Sequence, residues 1–336
     1  MDIVFIGAFN VIGLHIISMT NIHQHYTFIK ILTGSDLSKR RMPAMTLESD
    51  KKGPVVWLTG CMHGDEIGGT VIIHEVFKRL KKSLLKGKVH AFPLMNPFGF
   101  EAISRNIVLS KEDLNRSFPG NENGTLAERI ASKILSLILQ TKPDLVIDLH
   151  NDWNKSIPYA VLDRSDNERV DQKILEIAGA SGMIQIEETD RIHSTLTYNL
   201  IRNNVPAFVL ELGESFIINE KNIEIGIRSI WNILEHLKMV ENTEAPYRYP
   251  SLEHLPDHPL QYSALPLSSS SGIVRFLKKP GDLVSKGAKL AKVCNAFGKQ
   301  VELITALSDG IVLGHTDNAL AYPGSPVMAF GLTSKK

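Results

Sequence analysis

The segment TGCMHGDEIGGT, residues 59–70, packs an imidazole and two carboxylates (His63, Asp65 and Glu66) among four glycines. The apolar run 55–58 before it reads as a buried strand, and the run from Val71 onward reads as a helix. A strand-to-helix turn needs small residues; it has no need of that charge cluster. An imidazole and a carboxylate three residues apart across such a turn can converge on one metal ion, but two ligands do not make a site. The third candidate is His150 in LVIDLHND, residues 145–152. On a strand, Val146, Asp148 and His150 share one face. They would project at the strand's C-terminal end, where open α/β sheets place their ligands. Two His and one Glu make a catalytic zinc set with a fourth position left for water. Plainer readings stand beside this one. Asp65 and Glu66 could favour the positive end of a helix, and His150 could be a hydrogen-bonded surface histidine.

The elements that would position these residues follow from periodicity. The runs 55–58, 89–94, 145–149 and 207–212 are apolar and of strand length. Between them Thr125–Glu128 and Ser165–Glu168 fit the capping box that opens a helix. Apolar residues at 126, 130, 134, 137 and 138 then fall on one helical face. Such alternation predicts an α/β layered domain. The proline-rich stretch 246–271, with four serines at its end, reads as a linker. Short strand-like pieces punctuated by turns follow it, as in a small all-β module.

Composition narrows the function. The chain has 336 residues and a formal net charge of +1, so no global field favours nucleic acid or an anionic membrane. The lysine-rich stretch 78–88 suits the C-terminal end of a helix. Residues 1–19 are apolar but carry Asp2, Asn10 and His15, which argues against a signal peptide or membrane helix. Gly7 and Gly13 lack dinucleotide-fingerprint spacing. Cys61 and Cys294 lie far apart and suggest a reducing, cytoplasmic setting.

Five motifs in order resemble the succinylglutamate desuccinylase/aspartoacylase family, relatives of the zinc carboxypeptidases. They are the glycine-led H-G-x-E turn ending at Glu66, NPFGFEAISRN (96–106), DLNRSFPG (113–120), Asp148-Leu149-His150, and PAFVLELGES (206–215). The resemblance implies one zinc per chain held by His63, Glu66 and His150, with Glu211 as catalytic base. It further implies that Arg105 stabilises the oxyanion and that Asn115 and Arg116 grip a substrate carboxylate. The chemistry agrees: zinc lowers the pKa of bound water toward about 7. Desolvation of Glu211 in its apolar run should raise its pKa and make it a better base. Asp113 reads as ordering its loop, and Asp148 as a support for a ligand histidine.

The implied fold is a layered α/β/α zinc-carboxypeptidase-like domain with a mixed sheet, plus a small C-terminal all-β lipoyl-like domain. The expected boundaries are an N-terminal extension (1–25), the hydrolase domain (26–245), the linker (246–271) and the β domain (272–336). Lys299 falls near the register of a carrier lysine, but AFGKQVE lacks the usual Met or Asp neighbours. It is expected to be unmodified, with the module walling the cleft or joining subunits of a homo-oligomer. The implied activity is hydrolysis of the amide of an N-acyl amino acid or similar small amine. A carboxypeptidase-type peptidase and an inactive binding module are the alternatives. Residues 150–160 and 191–200 are expected as pocket loops, with Asp152, His193, Thr195 and Tyr198 as candidate contacts.

Overall fold

The computed structural model describes residues 21–241, 245–250, 252–316 and 320–333; most of the expected N-terminal extension lies outside them. The α/β part runs β1 (Ile22–Thr33), β2 (Lys39–Ser49), β3 (Val55–Gly60), α1 (Gly68–Ser83), β4 (Lys88–Phe92), α2 (Pro97–Ala102), α3 (Leu126–Gln140) and β5 (Leu145–Asp152). It continues through β6 (Lys155–Ser156), β7 (Tyr159–Leu162), α4 (Glu168–Ala180), β8 (Gln185–Glu187), α5 (Leu196–Arg202), β9 (Ala207–Glu214) and α6 (Glu220–His236). β10 (Leu260–Ser263) is followed by β11 (Gly272–Phe276), β12 (Leu283–Val284), β13 (Lys289–Cys294), β14 (Gln300–Thr305), β15 (Gly310–His315), β16 (Leu320–Ala321) and β17 (Met328–Leu332).

Strands β4, β3, β5 and β9 lie side by side and parallel at the centre of a mixed sheet. The β1–β2 hairpin extends it antiparallel on one side, and β7 pairs antiparallel with β9 on the other. The central strands are buried on both faces, as parallel strands covered by helices must be; in β5, Leu145 to Leu149 are wholly inaccessible. Helix α6 packs against α1 and α4, and α3 against α5. The capping box at Thr125 is present, with its hydroxyl and the Glu128 carboxylate bonded reciprocally to backbone N–H groups. The one expected at Ser165 is not. Asn167 caps α4 instead, and the Ser165 hydroxyl donates to Asp171 and to the Asn167 carbonyl.

The stretch read as a linker contains β10, which pairs parallel with β8 and antiparallel with β17. The central sheet therefore continues through β10 into β17, β15 and β12, and β6 pairs with β15 as a further tie. Four residues with a single buried leucine give no periodic signal against the surrounding prolines. The remaining strands form a four-stranded sheet ordered β14–β13–β11–β16. The serine run is pinned to that sheet by Glu302, whose carboxylate accepts from the backbone N–H groups of Ser269 and Ser270 and from the hydroxyls of Ser268 and Ser269.

Two glycines of the opening motif allow backbones to approach. A Cβ on Gly64 would lie 1.9 Å from the Gly99 carbonyl carbon in α2, and one on Gly69 would lie 2.7 Å from the Leu149 Cβ in β5. The His63–Glu66 turn is thus wedged between α2 and the end of a central strand. Gly64→Ala should lower stability by about 3 kcal/mol, because the clash is with backbone rather than a movable side chain. Urea unfolding measures this; a midpoint equal to wild type would contradict the close approach.

Candidate active site

His63 and Glu66 leave the C-terminal end of β3, and His150 stands near the end of the adjacent β5. All three are buried, and one ligand-type atom from each lies within 4.8 Å of the others. The Glu66 carboxylate bridges the imidazoles, with Oε1 2.7 Å from His63 Nδ1 and Oε2 2.8 Å from His150 Nδ1. Each imidazole is held from its other side. His63 Nε2 meets Asp113 Oδ1 at 3.1 Å, and His150 Nε2 meets Asp148 Oδ2 at 2.9 Å. Asp148 is itself fixed by the Thr59 hydroxyl at 2.6 Å, across from β3.

Asn151 adds support that the sequence reading did not single out. Its backbone N–H donates to Glu66 Oε2 at 3.1 Å, and its side-chain oxygen accepts from Gly68 N–H at the start of α1. Its Nδ2 reaches the carbonyls of Gly213 and Glu214 on β9. The signal was present only as adjacency to His150.

The charges lock together. Burial opposes ionisation of Glu66, yet His63 and His150 hold its carboxyl well below the usual range. Burial also opposes charge on the imidazoles, but Asp148 and Glu66 raise His150, and Glu66 and Asp113 raise His63. This donor set fits a divalent metal: mixed nitrogen and oxygen ligands, buried, with each imidazole oriented by a second carboxylate.

Glu211 lies on β9, paired in register with His150 on β5. Its Oε2 is closed off from solvent and has no hydrogen-bond partner. Burial, with the Asp152 carboxylate nearby, pushes its carboxyl well above the usual range, against the opposing pull of His150. Asp152, pushed up to about 6 chiefly by burial, accepts a hydrogen bond from the Tyr159 hydroxyl. Arg105 places Nη1 3.4 Å from Glu66 Oε1 and Nη2 3.1 Å from Asp113 Oδ2. Asp113 orders its loop, accepting from Asn115 N–H at 2.8 Å, but it also braces His63, which the sequence reading did not assign to it.

His63, Glu66, His150, Glu211, Asp152 and Arg105 line one cavity of about 240 Å3, together with Asn115, Arg116, Thr195 and, from the expected linker, Tyr262; Asp113 and Asp148 stand behind it. The Asn115 side-chain oxygen accepts from Leu196 N–H at 3.0 Å, while Arg116 donates to the Asn115 carbonyl. Of the four guessed pocket residues, Asp152 and Thr195 reach the cavity. His193 and Tyr198 are absent from its lining and stack on each other, ring centroids 4.6 Å apart.

The mixed α/β sheet has the fold of a metallo-carboxypeptidase. A metallo-carboxypeptidase from Burkholderia cenocepacia shares the fold over 63% of this chain and 65% of its own, at 16% identity and a TM-score of 0.51. Within that class, residues 52–237 match the succinylglutamate desuccinylase/aspartoacylase catalytic domain, and the chain belongs to that family. The N-alpha-acetyl-L-2,4-diaminobutyric acid deacetylase of Halomonas elongata is 29% identical over 280 residues, 79% of this chain and 78% of that protein. The product-bound ectoine utilization protein EutE (DoeB) from Ruegeria pomeroyi has the same fold, with a TM-score of 0.79, 21% identity, and coverage of 93% of this chain and 95% of its own. A succinylglutamate desuccinylase/aspartoacylase from Rhodobacter sphaeroides is equally similar, with a TM-score of 0.79, 22% identity, and coverage of 94% and 96%. Among the described residues no helix is long and apolar enough to cross a membrane.

Asp148→Asn tests the brace behind His150. If the cluster holds zinc, the substitution should weaken that binding by about 10- to 100-fold, the usual cost of losing a carboxylate behind a ligand imidazole. Competition against a chromogenic chelator reads this directly; unchanged affinity would show that His150 is oriented without Asp148.

Proposed function

We propose that the protein is a zinc-dependent deacylase that hydrolyses the amide of an N-acyl amino acid. The observation that carries this reading is the pairing of two unlike sites: the His63–Glu66–His150 cluster, and beside it the unpartnered Glu211 carboxylate. Zinc held by the cluster would supply Lewis acidity to the acyl carbonyl and to a water. Glu211, with its raised proton affinity, takes a proton from the attacking water and delivers it to the departing amine nitrogen. Arg105, beside Glu66, is placed to stabilise negative charge on the acyl oxygen as the tetrahedral centre forms. Arg116 suits a substrate carboxylate, which a guanidinium can grip with two parallel hydrogen bonds. The Asn115 Nδ2, which has no hydrogen-bond partner among the described residues, can add a third donor.

The same cavity also carries Asp163 and Glu188. Asp163 accepts from the Thr197 hydroxyl, and Glu188 from the backbone N–H groups of Thr189 and Asp190. Among the described residues neither pairs with a lysine or arginine, and burial raises both carboxyls above their usual range. A cavity with guanidinium donors and uncompensated carboxylates suits a substrate bearing both a carboxylate and an ammonium group. An Nα-acetylated diamino acid has that charge pattern, and the name of the Halomonas relative specifies one.

Zinc-loaded protein should release acetate from Nα-acetyl-2,4-diaminobutyrate. Glu211→Gln should retain the metal yet lose turnover by about 100-fold or more, the scale for a general base. No release from any N-acyl amino acid would overturn the reading; near-normal turnover of the variant would remove Glu211 as base. Stability supplies a second readout in metal-free protein. The Glu211 carboxyl holds its proton more tightly when folded, so its contribution is fully present below the ordinary value of 4.5 and is lost as pH rises toward the folded value. Glu211→Gln removes that loss, so its Tm advantage over wild type should grow from acid to neutral pH.

A further inference from the structure

A second cavity, of about 860 Å3, lies at the seam between the α/β layers and the C-terminal strands. It shares no lining residue with the catalytic cavity. Its walls come from segments far apart in sequence: the strand β6, one face of α6, the stretch 247–250, and the Lys279-Pro280 turn between β11 and β12. Three of these segments bring cations: Lys155 from β6, Lys221 and Arg228 from α6, and Lys279 from the turn. Lys221 and Arg228 are two helical turns apart and share a face with Ile225.

The lining carries two carboxylates against its four cations, and one of the two, Glu224, is paired with a cation outside the cavity. Glu214 accepts from the side-chain amides of Asn219 and Asn222 at 3.1 and 2.9 Å, and Glu224 pairs with Arg79 at 3.3 Å. Among the described residues, none of the four cations forms an ion pair. Arg228 sits over the Tyr247 ring at 5.8 Å and donates to the Ala245 carbonyl. Like charges gathered around a low-dielectric cleft create a field that attracts an anion. The rest of the wall mixes the polar Ser156, Asn219, Asn222 and His315 with an apolar and aromatic part made by Ile157, Pro158, Tyr249, Pro250 and Pro280. The seam is closely fitted at its edge: a Cβ on Gly281 would lie 3.3 Å from the Tyr249 hydroxyl and 3.6 Å from Ile157. The volume is that of a small-molecule site.

We propose that the seam cavity is a second binding site, for a small anion that carries a flat apolar body, such as an aryl phosphate or aryl carboxylate. The lysines and Arg228 take the anionic head through charge-assisted hydrogen bonds, and the tyrosine and proline walls take the body. Such a ligand bridges α6 and the β11–β12 turn, joining the two parts of the fold.

Phenyl phosphate is a suitable probe, titrated calorimetrically into the full-length, metal-loaded protein. Saturable binding is expected, with inorganic phosphate weaker because it lacks the apolar body. Lys221→Glu combined with Lys279→Glu should weaken phenyl phosphate by about tenfold or more, since two attractive charges become repulsive. Arg116→Ala, which disables an anion contact in the catalytic cavity, should leave this binding event in place. Absence of saturable binding would overturn the proposal. So would binding that survives the double substitution unchanged, or that disappears with Arg116→Ala.

Discussion

The Glu66 carboxylate, bonded to His63 through one oxygen and to His150 through the other, is the contact on which the rest of the arrangement turns. It joins the turn after β3 to the end of β5 in space closed to solvent. A buried carboxylate there is tolerable only with both imidazoles and the Asn151 N–H in place, because loss of one partner leaves uncompensated buried charge. The surrounding structure serves that convergence. Gly64 and Gly69 let the turn press against α2 and β5, Thr59 fixes Asp148 behind His150, and Asn151 fastens β5, β9 and α1 together.

Glu211 is the counterpart, a carboxylate denied such partners. Its register neighbour is His150, yet its Oε2 receives no hydrogen bond. Burial beside Asp152 disfavours its charged form, which costs stability and raises proton affinity together. Two glutamates on neighbouring segments of one cavity thus have opposite electrostatic fates. Glu66 is held ionised among imidazoles. Glu211 is held toward its protonated form.

Much of this was legible in the sequence because the signals were local. The four central strands are apolar runs of strand length, and Val146-Ile147-Asp148-Leu149-His150 alternates in the way that puts Asp148 beside His150. The Thr125 capping box was legible for the same reason. What escaped depended on distant partners. The brace between Asp113 and His63 spans 50 residues, and the contribution of Tyr262 to the cavity depends on a four-residue strand whose pairing with β8 and β17 is decided by tertiary packing. Ser165 and Asn167 are both good caps, and the choice fell to Asn167 because Asp171 engages the Ser165 hydroxyl. The stacking of His193 on Tyr198 likewise has no counterpart in residue spacing.

The central claim is that His63, Glu66 and His150 converge in order to hold a metal ion. A ligand that binds only the native state raises thermal stability by mass action, so the direct measurement is the Tm of metal-free protein as zinc is added. The account predicts a rise that saturates at one zinc per chain in wild type and is lost in Glu66→Gln. A Tm that zinc does not move in wild type, or a rise that persists undiminished in Glu66→Gln, would contradict it.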